Sequence, residues 1–472
     1  MYQLGCANFN FFFWGVVLLR LCFILIPLLL IPDLAIAAEV ANLGLTGTER
    51  GLYTVLIFVI AYGFVMAEEF TGLRKSKPVI LAAGIIWGHA AILASEAGVS
   101  VEEMHLVFER NLVEYAQLML FLLVAMTYIN AMAERNVFEA LRSWLVRKKF
   151  SYRQLIIITG VITFFLSAVA DNLTSALLVG AVVLAVGVDS PKFIAIGFVN
   201  VVVAANAGGA FSPFGDITTL MVWQAGYADF FDFFNLFIPS VVNYAIPAVF
   251  MYLAVPDEQP GAPADNAVVS MKPGAIQICV LFLLTIVTAV SFKQMLHLPP
   301  FMGMMVGLSV LMLYGYRLNS MFLSTGGGGE FDIFKKVRDA EWDTLFFFFG
   351  VVFAVGGLGY IGYLELLSSA MYDGLGPTTA NILVGVISAI VDNIPVMFSV
   401  LSMDLDMDLY QWLLVTLTAG VGGSMLSVGS AAGVALMGQS DHKYTFFSHL
   451  KWTPVIAMGY VASIFVHYLV NG

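Results

Sequence analysis

Long apolar runs recur along the chain at residues 51–70, 78–95, 113–133, 192–225, 233–254, 274–292, 299–316, 344–366, 409–438 and 452–470. Each is close to or above the ~20 residues a helix needs to cross the hydrocarbon of a bilayer. Two further apolar stretches, 154–187 and 379–403, are each cut in the middle by an acid–amide pair. The cuts match: Ser167-Ala168-Val169-Ala170-Asp171-Asn172 and Ser388-Ala389-Ile390-Val391-Asp392-Asn393. Polar backbone at membrane depth is tolerated only where protein or a water-filled cavity covers it. Each stretch is therefore predicted to be a re-entrant helical hairpin with Asp-Asn at its tip.

A second break follows each hairpin. In the first half it runs from Asn206 to Thr219, where Gly208 and Gly209 let the chain leave helical geometry and Pro213 prevents its simple resumption. In the second half Gly420 to Ser430 takes that place. Paired broken, polar-tipped membrane segments are the sequence pointer to a transporter's binding site. The predicted fold is an all-α polytopic membrane protein. It has two inverted-topology repeats, each with a re-entrant helical hairpin and a broken transmembrane helix. Residues 45–254 form the first transport repeat, 255–273 a cytoplasmic linker, and 274–470 the second, inverted repeat. Residues 1–39 are read as a signal peptide or an extra N-terminal helix. Leu34 to Glu39 resembles a small-residue cleavage site, although Arg20 interrupts the apolar run.

Composition agrees. Of 472 residues 60% are hydrophobic and only 11% charged, against about half and a quarter in soluble domains. The threading places 17 of the 21 lysines and arginines on the inner side, from Arg74, Lys75 and Lys77 to Lys443 and Lys451. Outer connections hold acids such as Glu102, Glu103, Asp229 and Asp404. This is the positive-inside bias. A net charge of −11 and the lack of a basic module exclude nucleic acid as a partner. Membrane lipid is the expected partner, and a homodimer is carried as an open assembly. Cys6, Cys22 and Cys279 make no metal or disulfide spacing. Gly326–Gly329 lacks the Lys-Ser or Lys-Thr of a phosphate loop and reads as a flexible linker.

The costly residues carry the chemistry. Asp171, Asp216 and Asp392 lie where acids are rare and usually line an ion or proton path. Asn172, Asn206 and Asn393 offer carbonyl oxygen and amide together, and Ser212, Thr218, Thr219, Ser424, Ser427 and Ser430 add hydroxyls near the breaks. Oxygen-rich sites with carboxylates suit hard cations. No lysine or arginine falls inside the broken segments, which argues against an anionic substrate. Glu341 and Asp343 form either an inner ion funnel or a solvated helix start. His89 is either a packed histidine or a pH sensor.

The Asp-Asn tips, the segment Asn206…Ser212-Pro213-Phe214-Gly215-Asp216-Ile217-Thr218-Thr219 and the segment Glu341-Trp342-Asp343-Thr344-Leu345 resemble the NhaD-type sodium/proton antiporters of the ion transporter superfamily. The resemblance implies one half-site of Asp171, Asn172, Asn206, Asp216, Thr218 and Thr219. It implies a second of Ser388, Asn393, Ser427 and Ser430, with Asp392 beside them. It further implies that sodium, and lithium with it, exchanges for protons at buried aspartates in a bacterial inner membrane, with no cofactor and no enzymatic reaction. A sodium-coupled dicarboxylate or arsenite carrier of the same superfamily is the rival. An intramembrane aspartyl protease is the remote one.

Overall fold

The computed structural model describes residues 42–148, 150–260, 268–325, 331–440 and 442–472. The readings of residues 1–39, of Cys6 and Cys22, and of Gly326–Gly329 fall outside them. Among the described residues the regular elements are all helical. Ten helices among them are long and apolar enough to cross a membrane.

The first half comprises α1 (Glu49–Met66), the single turn α2 (Glu68–Thr71), α3 (Ser76–Glu96), α4 (Val101–Glu134) and α5 (Val137–Arg147). A helical pair follows, α6 (Tyr152–Ala170) and α7 (Asn172–Val186), then α8 (Pro191–Gly209), α9 (Ile217–Ala225) and α10 (Phe237–Ala254). The second half comprises α11 (Ala275–Leu296), α12 (Pro300–Thr325), α13 (Ile333–Arg338), α14 (Trp342–Ile361) and α15 (Tyr363–Ser368). Its helical pair is α16 (Pro377–Ser388) and α17 (Asn393–Leu401), followed by α18 (Leu409–Gly422), α19 (Ala431–Gln439), α20 (Phe446–Leu450) and α21 (Thr453–Asn471).

Apolar composition gives these helices little amphipathic direction, so their ends are set by caps. Ser100 accepts from the Glu103 amide, Ser151 forms a reciprocal box with Gln154, and Ser190 precedes Pro191 at the first helical position. The two predicted breaks in the first half lie at Asp171 and at 210–216, and those in the second at 389–392 and 423–430.

Some boundaries differ from the pattern. The run 51–70 is not one helix: α1 stops at Met66, and Gly72, at φ 67°, closes the separate turn that follows. The span placed at 113–133 begins at Val101, because a capped, polar extension carries it well past the apolar stretch. The Arg110–Glu114 pair at i,i+4 spacing supports that extension. The run 344–366 is divided at Gly362, whose φ of 112° suits a residue without Cβ.

Packing partners correspond between the halves. α6 lies on α8 as α16 lies on α18, and α1 lies on α3 as α11 lies on α12. Across the halves, α3 packs on α14 as α12 packs on α4, and α9 packs on α17 as α19 packs on α7. The innermost helices are α8 and α18: all residues from Ile196 to Asp216 and from Trp412 to Met425 are buried. Helices sheathed in protein can break, because the freed backbone meets polar neighbours instead of lipid.

Candidate functional site

The two breaks share one geometry. Asp216 and Ser430, each the residue before the resuming helix, adopt φ −144°, ψ 150° and φ −143°, ψ 149°. Gly209 faces the Gly215 carbonyl as Gly423 faces that of Gly429, each 2.6 Å from where a Cβ would stand. Ser167 Oγ donates to the Ala205 carbonyl at 2.6 Å, and Ser388 Oγ to the Ala419 carbonyl at 2.7 Å. Shape is thus duplicated while charge is not, since Asp216 corresponds to Ser430 and Asn206 to Gly420.

Asp216 is the point where both halves meet. It caps α9, its Oδ1 accepting from the Thr218 amide at 3.1 Å. Its Oδ2 accepts from Asn172 Nδ2 at 2.8 Å and from Asn393 Nδ2 at 3.0 Å. One amide thus comes from the tip of each helical pair. Asn172 Nδ2 also reaches Asn206 Oδ1 at 3.1 Å, and Asn206 Nδ2 donates to Ser430 Oγ at 3.0 Å. All five side chains are buried. They form one polar network, in which removal of any member leaves another without its partner.

Asp171 sits at φ 57°, ψ 160°, a region nearly reserved for glycine. Holding an L-residue there costs on the order of 1–3 kcal/mol. Its carboxylate offsets part of that by capping α7: Oδ1 accepts from the Thr174 amide at 2.9 Å and Oδ2 from its hydroxyl at 2.8 Å. Asp392 caps α17 in an ordinary conformation, φ −45°.

A cavity adjoins the network. Asp171, Asn172, Asp216, Asn393 and Glu341 line it, together with apolar side chains of α4 such as Phe121 and Met126. The remaining predicted residues lie behind or away from that lining. Thr219 Oγ1 donates to backbone carbonyls of the break, and Ser388 ties its helix to α18. Thr218 presents its backbone amide to Asp216, and Ser427 is buried beside the second break. Asp343 accepts from Ser76 Oγ at 2.5 Å. His89 lies apart, half-buried, with Nε2 3.1 Å from the Arg50 carbonyl.

The broken segments themselves hold no lysine or arginine, but a lysine reaches the chamber from outside them: Lys75, just before α3, lines the cavity with its Nζ 3.1 Å from Asp392 Oδ2. No local pattern marks it, because it lies in the α2–α3 turn, among cations that read as an inner loop. Ser167, by contrast, was visible as the matched first letter of the two repeated motifs.

His449 supports the second break from α20, a short helix between spans. Its Nε2 donates to the Ser424 carbonyl at 2.9 Å, so Nδ1 accepts from the Tyr444 hydroxyl at 2.6 Å. Acceptance at Nδ1 requires neutral imidazole. Burial pushes its pKa down to about 4, more than the carbonyl bond raises it. An unfolded histidine titrates near 6.5. The stabilisation is therefore complete above about pH 6.5 and is lost as pH falls toward 4, where only the unfolded chain takes up the proton. Thermal unfolding of the detergent-solubilised protein should show that decline, and His449→Gln should flatten it.

Buried acids and amides converging on broken helices in a multi-pass bundle define a membrane transporter. Comparison with known proteins narrows this. A family model described as citrate transporter matches residues 54–420. The Na(+)/H(+) antiporter NhaD of Vibrio cholerae serotype O1 is 51% identical over 95% of this chain and 98% of its own length. That of Alkalimonas amylolytica is 53% identical over 92% and 94%. Sodium/proton antiporter 1 of Arabidopsis thaliana is 30% identical over 93% and 77%. Neisseria gonorrhoeae MtrF, a solved structure, aligns with a TM-score of 0.49 and 13% identity over 78% of this chain and 85% of that one. The chain belongs to the NhaD family of sodium/proton antiporters.

Proposed function

We infer that the protein exchanges sodium for protons across a bacterial inner membrane and that the Asp216 network is where the two ions compete. The observation carrying this is the bridging of one buried carboxylate by an asparagine from each helical pair. A carboxylate removed from water must be compensated by a proton, a cation or donors. A proton converts one acceptor oxygen into a donor, whereas sodium needs that oxygen as a ligand, so the two exclude each other at one atom. Asp171, on the lining of the same cavity, supplies a second carboxylate. Carbonyl oxygens of Asn172 and Asn393 complete an oxygen set suited to sodium and to lithium. The correspondence of packing partners supports two inverted repeats that open the chamber alternately to each side. Lys75 is already committed to Asp392, so it does not make the chamber an anion site.

The test is dequenching of a pH-sensitive dye in inverted vesicles. Sodium and lithium should release the proton gradient and potassium should not. Sodium-driven uptake of a labelled dicarboxylate without proton release would overturn the assignment. Asp171→Asn keeps an oxygen to cap α7 but removes the charge. It should abolish sodium-dependent proton movement while the protein still accumulates, and a variant with full exchange would exclude Asp171 as a carrier.

A further inference from the structure

Lys75 and Asp392 are 317 positions apart in sequence, yet their side chains meet at 3.1 Å with exposures of only 14% and 9%. The ammonium also lies 4.2 Å from the centroid of the Phe347 ring, a placement that favours a cation. The partnership is one-sided. Asp171, which occupies the same place in the first motif, turns both oxygens to Thr174, and no ion pair holds it among the described residues. Among the described residues Asp392 accepts from the Ile394 amide alone, at 3.4 Å, besides the lysine.

We propose that Lys75 is a positioning residue, a built-in counter-cation that holds Asp392 neutralised so that the chamber offers Asp171 and Asp216 alone to the transported ions. This rests on the ion-exchange reading above. Removing one partner of a buried pair leaves an uncompensated charge, whereas removing both does not. Without the lysine, Asp392 would enter the competition, and the carboxylates would lose a cation that disfavours their protonation. The other ionisable groups nearby are Glu68 and Arg74 on the preceding turn, Asp343 held by Ser76, Glu341 on the cavity wall and the Tyr62 hydroxyl within electrostatic reach of Asp392. Glu68 is itself shifted upward by burial, an effect that the charge of Lys75 opposes. Lys75 is thus the cation committed to Asp392 in a largely acidic surround.

The experiment compares full-length Lys75→Met, Lys75→Arg, Asp392→Asn and the Lys75→Met/Asp392→Asn pair in proteoliposomes, following sodium-driven proton movement across a pH series. Lys75→Met should move the half-maximal rate to higher pH by about one unit or more. The charge-balanced double variant should return toward the wild-type profile, and Lys75→Arg should stay near it. A merely structural lysine would lower the rate without moving the profile. An unmoved profile in Lys75→Met, or a double variant no better than Lys75→Met, overturns the proposal. If Lys75→Met cannot be recovered folded, a folded, active double variant supports the charge pairing, and an unfolded one overturns it. Full exchange by Asp216→Asn would instead defeat the site assignment and leave the double-variant comparison to decide the role of Lys75.

Discussion

Asp216→Asn should reduce sodium-dependent proton exchange at least about a hundred-fold, the loss that forfeiting roughly 3 kcal/mol gives. The carboxylate accepts from one backbone amide and from two asparagine amides. An asparagine has one acceptor oxygen and one amide, so the contacts on one side of the group become donor against donor. With its oxygen on Thr218, the substituted side chain repels Asn172 and Asn393. Turned the other way, it gives up the α9 cap. Bonds to a charged acceptor contribute about 1.5–3 kcal/mol each, so the network suffers as well as the charge. Transport in proteoliposomes, read beside the elution profile of the purified variant, separates the two losses. A folded Asp216→Asn protein exchanging at the wild-type rate would remove Asp216 from the site.

Gly208→Ala should prevent accumulation of folded protein. A Cβ there would lie 2.0 Å from the Phe164 carbonyl oxygen and 2.7 Å from its carbon. Both are backbone atoms, so α8 would have to withdraw from α6. Overpacking a fitted interior costs about 1–3 kcal/mol and sometimes more, and here it displaces the helix that delivers Asn206. Gly422→Ala should behave alike, its Cβ falling 2.2 Å from the Gly385 oxygen. Gly438→Ala is the comparison, since nothing lies within 4 Å of that position and alanine favours a helix interior by about 0.5–1 kcal/mol. Fluorescence size-exclusion profiles of the three variants give the answer. Equal monodisperse yields would show that the α6–α8 approach is not as close as described.

The repeated motif made the hairpin tips legible, because an acid inside an apolar run has few structural reasons to be there. The glycines and Pro213 likewise marked the second breaks. The start of α4 was not legible: Glu102, Glu103 and Glu109 resemble a solvated loop, and only the Ser100 cap signals a helix. Lys75 was hidden for a different reason. Its significance depends on a partner in the other half, and side-chain pairing between remote segments leaves no periodicity in either one. Glu341 stands at a helix start, where sequence supports a solvated acid as well as a funnel; in the structure it lies on the cavity wall.

The bonds from Ser167 to Ala205 and from Ser388 to Ala419 have a mechanical consequence. Each fastens the apex of a hairpin's first arm to the inner helix of its own half, at the turn before the chain breaks. In the exchange proposed above, each helical pair is therefore expected to travel with the inner helix of its own half.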